Sequence, residues 1–155
     1  MATEIERKFL VRDDRWREQA QPGVQLMQGY LASTPAVTVR ARLKGEQAVL
    51  TIKGATRGIS RSEYEYPIPV ADAKAMLSEL AETGIIEKTR YRVQCGAHTW
   101  ELDLFAGDNA GLVLAELELC AEDEAFERPS WLGEEVSDDP RYYNANLARH
   151  PFKDW

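Results

Sequence analysis

The 155-residue chain predicts an α+β fold: an antiparallel β-barrel of about eight strands with covering helices and a C-terminal helix. Three observations lead there. Eight stretches alternate apolar and polar residues with the period of two that marks a strand whose faces meet different surroundings. Beyond a brief helix near residues 13 to 20, helix signals are confined to Val70 to Ala81 and to Asp138 through about Arg149. The charged residues of the alternating stretches sort largely by sign, as though two opposed walls were being built. About eight antiparallel strands can close into a barrel whose interior is wide enough for side chains or one small ligand.

Glu4 to Leu10 is the first strand, with Glu4, Glu6 and Lys8 on one face and Ile5, Arg7 and Phe9 on the other. Taken alone, such a row describes any solvated face of an antiparallel sheet. Val11 to Trp16 is polar and turn-prone, and Pro22-Gly23 ends the short helix. Gln25 to Leu31 resumes the alternation with Gln28 and Tyr30 on one face. From Ala36 to Lys44, Val37, Val39, Ala41 and Leu43 oppose Thr38, Arg40 and Arg42. Gly45-Glu46 turns into Gln47 to Lys53, where Thr51 and Lys53 share the polar face; the hairpin thus carries three cations. Ile59 to Ile68 sets Arg61, Glu63 and Glu65 in one row and is ended by Pro67 and Pro69.

In Val70 to Ala81, Ala73, Met76, Leu77 and Leu80 recur at helical spacing, with Asp72 near the start and Gly84 beyond the end. This helix is expected to cover a sheet. Ile85 to Cys95 groups Lys88, Arg90 and Arg92. His98 to Phe105 sets Trp100, Leu102 and Leu104 against Glu101 and Asp103, and Leu112 to Leu119 sets Leu117 and Leu119 against Glu116 and Glu118. Phe126 to Gly133 reads as an extended segment and turn. Asp138-Asp139-Pro140 opens the terminal helix, an acidic cap followed by proline in the first turn. Periodicity leaves open whether the apolar or the charged rows face inward; charged rows inside require helical cover over the apolar ones.

The length suits one domain spanning residues 1–155. A hydrophobic share of 44% with 29% charged residues is that of a globular chain, without an apolar run long enough for a bilayer or room for a signal-peptide core. A cytoplasmic location with Cys95 and Cys120 as reduced thiols is the expectation. The net charge of -7 argues against general nucleic-acid binding, which draws its affinity from excess Lys and Arg. A local anion site remains open, because the basic residues concentrate in a few strands. With only His98 and His150, a histidine-built zinc centre is not expected.

Glu4-x-Glu6-x-Lys8 resembles the ExExK signature of the CYTH superfamily, the triphosphate tunnel metalloenzymes. Further elements follow in order: Gln28-x-Tyr30-Leu31, Arg40-x-Arg42, Lys53-Gly54, Arg61-x-Glu63-x-Glu65, Lys88-x-Arg90, Asp103 and Glu116-x-Glu118. Trp131-Leu132-Gly133-x-Glu135-Val136 and Tyr143-Asn144-x-x-Leu147 are similar to its bacterial members, so the resemblance covers essentially the whole chain. It implies an eight-stranded tunnel that binds a triphosphate and needs a divalent cation, Mg²⁺ or Mn²⁺.

On that resemblance, Lys8, Arg40, Arg42, Lys53, Arg61, Lys88 and Arg90 bind substrate. Guanidiniums suit the task, since they hold phosphate oxygens through forked, charge-assisted hydrogen bonds. Glu4, Glu6, Glu116 and Glu118 are the implied metal ligands. Glu63, Glu65 and Asp103 act through water or orient the basic residues, and Lys8, Tyr30 and Glu6 serve the chemistry. Lys153 is expected to reach inward from the terminal helix. The implied activity is hydrolysis of tripolyphosphate to pyrophosphate and phosphate. The alternatives are a class IV-type adenylyl cyclase, a thiamine or nucleoside triphosphatase, and a polyphosphate-binding module without turnover. A small triphosphate-bearing molecule is the expected partner, with neither nucleic acid nor membrane; a homodimer is compatible with the chain.

Overall fold

The computed structural model describes residues 3–155. Its strands are β1 (Thr3–Val11), β2 (Val24–Ser33), β3 (Val37–Lys44), β4 (Gln47–Gly54), β5 (Ser60–Pro67), β6 (Ile86–Cys95), β7 (His98–Phe105), β8 (Val113–Glu118) and β9 (Leu132–Glu135). The helices are α1 (Val70–Glu79) and α2 (Asn144–Arg149). Strands β5-β4-β3-β2-β6-β7-β8-β1 follow one another, and β1 pairs again with β5, closing an eight-stranded antiparallel barrel. β1 makes the closure by dividing one edge. Thr3 to Ile5 pair with β5, while Phe9 and Val11 pair with β9. Its other edge runs along β8 from Glu6 to Leu10.

The charged rows face the lumen and the apolar rows face out, so the outer surface needs cover. α1 supplies it over β2, β3 and β4, burying Ala73 and Leu77. Gly29 permits the approach, since a Cβ there would stand 2.9 Å from the side chains of Leu77 and Ile85. Over β1, β6, β7 and β8 the cover is not helical as expected. It comes from Trp16, in a 3₁₀ turn spanning Arg15–Gln19, and from Phe126, Trp131 and Leu132 in the long segment after β8. Trp100 lies edge-on to Phe9, Trp131 and Phe126 with ring centroids 5.5, 5.6 and 5.8 Å apart, the geometry that aromatic quadrupoles favour.

Toward one end the inward rows of β6, β7, β8 and β1 turn apolar. Ile86, Phe105, Leu114 and Leu10 gather there beneath Tyr142, Leu147 and Phe152 of the C-terminal segment. That segment is not one helix. A 3₁₀ turn at Pro140–Tyr142, capped by Asp139 accepting from the Arg141 backbone N–H, precedes α2, and Tyr143 between them is extended. Phe126 to Gly133 is extended as expected, but its continuation forms β9, which the sequence did not reveal. Lys153 does not reach inward; it pairs with Asp108 at 3.0 Å on the surface. No helix among the described residues is long and apolar enough to cross a membrane.

β9 depends on Gly133, where a Cβ would lie 2.9 Å from the Leu10 carbonyl oxygen. Backbone cannot yield as a flexible side chain can. Gly133→Ala is therefore expected to destabilise the fold by about 1–3 kcal/mol, the usual range for overpacking, measurable by urea unfolding.

Candidate active site

The barrel encloses a cavity of about 650 Å³. Lys8, Tyr30, Arg40, Arg42, Lys53, Arg61, Lys88 and Arg90 line it together with Glu4, Glu6, Glu63, Glu65, Glu101, Glu116 and Glu118. Asp103 is fully buried behind them, bound to Lys88 and Arg90. Alternation places these side chains on the inner face, and strand order sorts them. β4, β3 and β6 bring Lys53, Arg40, Arg42, Lys88 and Arg90 to one side, a basic arc with the neutral Gln28 and Tyr30 of β2 among them, and β7, β8, β1 and β5 form a mainly acidic arc that also holds Lys8 and Arg61. Arg92 is exposed and does not line the cavity, although it continues the row of Lys88 and Arg90.

Where the arcs meet, charges pair. Arg90 Nε and Nη2 donate to the two oxygens of Asp103 at 2.7 and 2.8 Å, and Lys88 Nζ donates to Asp103 at 2.6 Å. At the other seam Lys53 Nζ lies 3.1 Å from Glu4 and 3.2 Å from Glu63, with Arg61 Nε 3.3 Å from Glu4. Lys8 Nζ donates to the Tyr142 carbonyl at 3.1 Å, and the ring it stands over is that of Tyr143, not Tyr30. Tyr30 is buried and register-paired with Arg40.

The middle of the basic arc is different. Arg42 forms no carboxylate pair among the described residues; its Nε donates to the Gln28 side-chain oxygen at 2.7 Å. Burial, then Arg40 and Arg90, push Arg42 down to about 9, which leaves it a cation at neutral pH. Arg40 donates to Thr51 at 3.3 Å and lies 3.9 Å from Glu65, while its buried Nε has no partner. Buried donors without acceptors are costly, so these guanidiniums are set to receive an anion.

The acidic arc carries the converse excess. Burial, then Glu116 and Glu4, raise Glu6 well above the ordinary carboxylate range, whereas Glu116 is held low by Lys8, Arg90, Lys88 and a hydrogen bond from Glu6 against its own burial. Glu4 is likewise held low, while burial and the Glu4 contact push Glu63 beside it up to about 7. Glu118, more exposed, is raised by burial and by Glu4 and Glu101. Among the described residues no three ligating side chains converge into a finished metal cage. The donors nevertheless fit a hard divalent cation, which takes a few carboxylates and completes its shell with water and substrate oxygens. A divalent cation among them would relieve the repulsion between the carboxylates.

Glu63 gives the arrangement a pH signature. From an ordinary value of 4.5 it rises to about 7, so the folded state holds the proton more tightly than the unfolded chain. The stabilisation is full below the lower value and lost as pH rises through the upper one. Thermal unfolding of the metal-free protein across that window is expected to show a slope that Glu63→Gln flattens.

Further side chains line the cavity beyond those the sequence predicts, Lys44, Glu101, Asn144 and Arg149 among them, and Gln28 lies fully buried beside Arg42. Lys44 lies at the end of the Arg40-Arg42 row, and its parity was signal enough to find it. Gln28 and Asn144 stood in the quoted motifs but had no assigned role. Asn144 Oδ1 accepts from Lys88 Nζ at 2.9 Å and from Gln28 Nε2 at 3.1 Å. Pairing across so many intervening residues leaves no local pattern.

Residues 2–145 match the model of the CYTH domain. The chain is 46% identical over 155 residues to an inorganic triphosphatase of Acetivibrio thermocellus, covering 100% of this chain and 99% of that protein. It is 42% identical over 150 residues to an inorganic triphosphatase of Nitrosomonas europaea, covering 94% and 97%. A crystal structure of an inorganic triphosphatase superposes with a TM-score of 0.68 at 38% identity, covering 96% of this chain and 95% of that one. A putative adenylate cyclase from Bacillus halodurans shares the fold alone, with a TM-score of 0.63 at 17% identity over 79% and 84%. Matched along nearly its whole length by the family model and by these relatives, the chain belongs to the CYTH family.

Proposed function

We propose that the protein is an inorganic triphosphatase that hydrolyses tripolyphosphate to pyrophosphate and phosphate. Arg42 carries the reading: a buried cation without a carboxylate partner among the described residues, facing an arc of carboxylates, Glu4, Glu6, Glu63, Glu116 and Glu118, crowded against one another. An anion alone would satisfy the first feature and aggravate the second; a triphosphate with a divalent cation satisfies both. The two relatives of similar length named inorganic triphosphatases support the same substrate.

Arg40, Arg42, Lys53, Arg61, Lys88 and Arg90 bind the phosphate oxygens, and in doing so they exclude bulk water and fix the chain of phosphoryl groups. Glu4, Glu6, Glu116 and Glu118 hold Mg²⁺ or Mn²⁺, with Glu63, Glu65 and Asp103 aiming the cations beside them. When bound, the metal supplies charge neutralisation at the phosphoryl oxygens and a water made more acidic. Water oxygen bonds to the terminal phosphorus, the bridging P–O bond breaks, and pyrophosphate departs with the electron pair, while one of the water's protons stays on the released phosphate and the other passes to solvent. Lys8 and Tyr30, both lining the cavity, stabilise that leaving group. A cytoplasmic setting belongs to the same proposal, supported by the free thiols Cys95 and Cys120.

Phosphate release from tripolyphosphate, ATP and thiamine triphosphate, each with Mg²⁺, with Mn²⁺ and with EDTA, tests this. Fast release from tripolyphosphate that EDTA abolishes is expected. Cyclic AMP formation from ATP with little release from tripolyphosphate would overturn it.

A further inference from the structure

We infer that Gln28 and Asn144 are positioning residues for the anion-binding cations: a neutral amide relay that aims Arg42 and Lys88 at the substrate without neutralising either. The inference rests on the triphosphatase reading. Gln28 is completely buried inside a charged barrel, and both of its polar atoms are used. Its Oε1 accepts from Arg42 Nε at 2.7 Å, and its Nε2 donates to Asn144 Oδ1 at 3.1 Å. Asn144 Oδ1 also accepts from Lys88 Nζ at 2.9 Å. The cations dictate both amide orientations, because guanidinium and ammonium only donate. Arg42 must meet Oε1 of Gln28, which turns Nε2 toward Asn144; Lys88 likewise requires Oδ1 there.

The consequences for the cations are specific. With Nε held, the Arg42 guanidinium cannot swing, and its two terminal nitrogens remain for phosphate oxygens. Lys88 has three N–H donors; Asp103 at 2.6 Å and Asn144 occupy two, leaving one for the lumen that it lines. A carboxylate at position 28 or 144 would fix the same geometry but would compete with the substrate for the charge. Asn144 is itself firmly placed. It opens α2, whose Leu147 is fully buried and whose Arg149 donates to the Ser33 carbonyl at 3.0 Å. The C-terminal segment thus contributes to the binding site from outside the barrel strands.

A mutant cycle separates positioning from mere packing. Tripolyphosphate affinity would be measured by calorimetry in EDTA, which prevents turnover, and KM and kcat in Mg²⁺, with unfolding curves as the control for folding. Gln28→Met preserves shape and is expected to weaken affinity roughly tenfold, about the worth of one charge-assisted hydrogen bond, with KM moving more than kcat. In an Arg42→Ala background the same change should add nothing. Asn144→Asp, nearly isosteric, should weaken affinity by a similar factor, because it sets a second carboxylate on Lys88, which already shares Asp103 with Arg90, and the added charge repels the anion. Additivity of Gln28→Met with Arg42→Ala, or unchanged affinity in Asn144→Asp, overturns the relay. If Arg42→Ala weakens binding and neither amide variant does, only the relay falls. If Arg42→Ala changes neither affinity nor KM, the anion wall and the relay fall together; if the parent protein releases no phosphate from tripolyphosphate in Mg²⁺, the triphosphatase reading falls with them.

Discussion

Glu116→Gln is expected to lower tripolyphosphate turnover by about two to three orders of magnitude at fixed Mg²⁺, the scale of losing several kcal/mol of transition-state charge stabilisation. Glutamine keeps the length of the side chain and can still bond to Glu6, so the barrel should fold. What it loses is the negative charge that would help to hold a divalent cation. Glu116 also lies 3.8 Å from Arg90, which retains Asp103 at 2.7 Å after the substitution. The anion wall should therefore stand, and tripolyphosphate affinity in EDTA should hold or rise as a repelling charge disappears. Titrating Mg²⁺ against the variant should recover part of the rate at high metal. Unaltered turnover and metal dependence would remove Glu116 from the ligand set. Glu118, half-exposed on the same strand, should show a smaller effect on substitution.

Arg42→Ala should fail through binding. It deletes a contact made in the ground state as well as the transition state, so KM should rise on the order of 10- to 100-fold, the range for losing hydrogen bonds to a charged partner. The variant carries a partly compensating gain in stability. Arg42 is buried next to Arg40 and Arg90 and has no carboxylate partner among the described residues, so its removal relieves repulsion between the cations. A raised melting temperature together with a raised KM would separate this residue from a packing element, whose loss would lower both stability and affinity. An unchanged KM would deprive the basic arc of its central member.

The strands were legible because an inside that is charged and an outside that is apolar give the same period of two as the reverse. β7 falls on His98–Phe105, the bounds that alternation predicted, and parity placed Glu6, Lys8, Glu116 and Glu118 on lumen-facing rows, while the register of Glu6 opposite Glu118 and Lys8 opposite Glu116 is set by how the strands pair. Which row faced inward was not legible from periodicity; the family resemblance supplied it. β9 was missed because Leu132-Gly133-Glu134-Glu135 is too short to alternate, and its place is set by the edge of β1 that β5 leaves free. The break before α2 was missed because Asp139 and Pro140 are equally good openers of a 3₁₀ turn. For the site, strand parity gave the charged rows, while the pairing of Arg42 with Gln28, and of Gln28 and Lys88 with Asn144, arises only from tertiary proximity.

The divided edge of β1 also bears on how the chain is made. β1 leaves the ribosome first, yet its partners are β5, at Ser60–Ser62, and then β8 and β9, at Leu114–Glu118 and Leu132–Glu135. Until those late segments emerge, the first strand has one edge partly matched and the other bare, with its carboxylates in water and Phe9 unburied. Barrel closure is thus a late event joining the two ends of the sequence, and pairings of such separation give folding times in the range of milliseconds to seconds. A nascent chain stalled before β8 would hold β2 to β7 as an open sheet, with Arg40, Arg42, Lys88 and Arg90 facing solvent in place of the wall that carries Glu116 and Glu118.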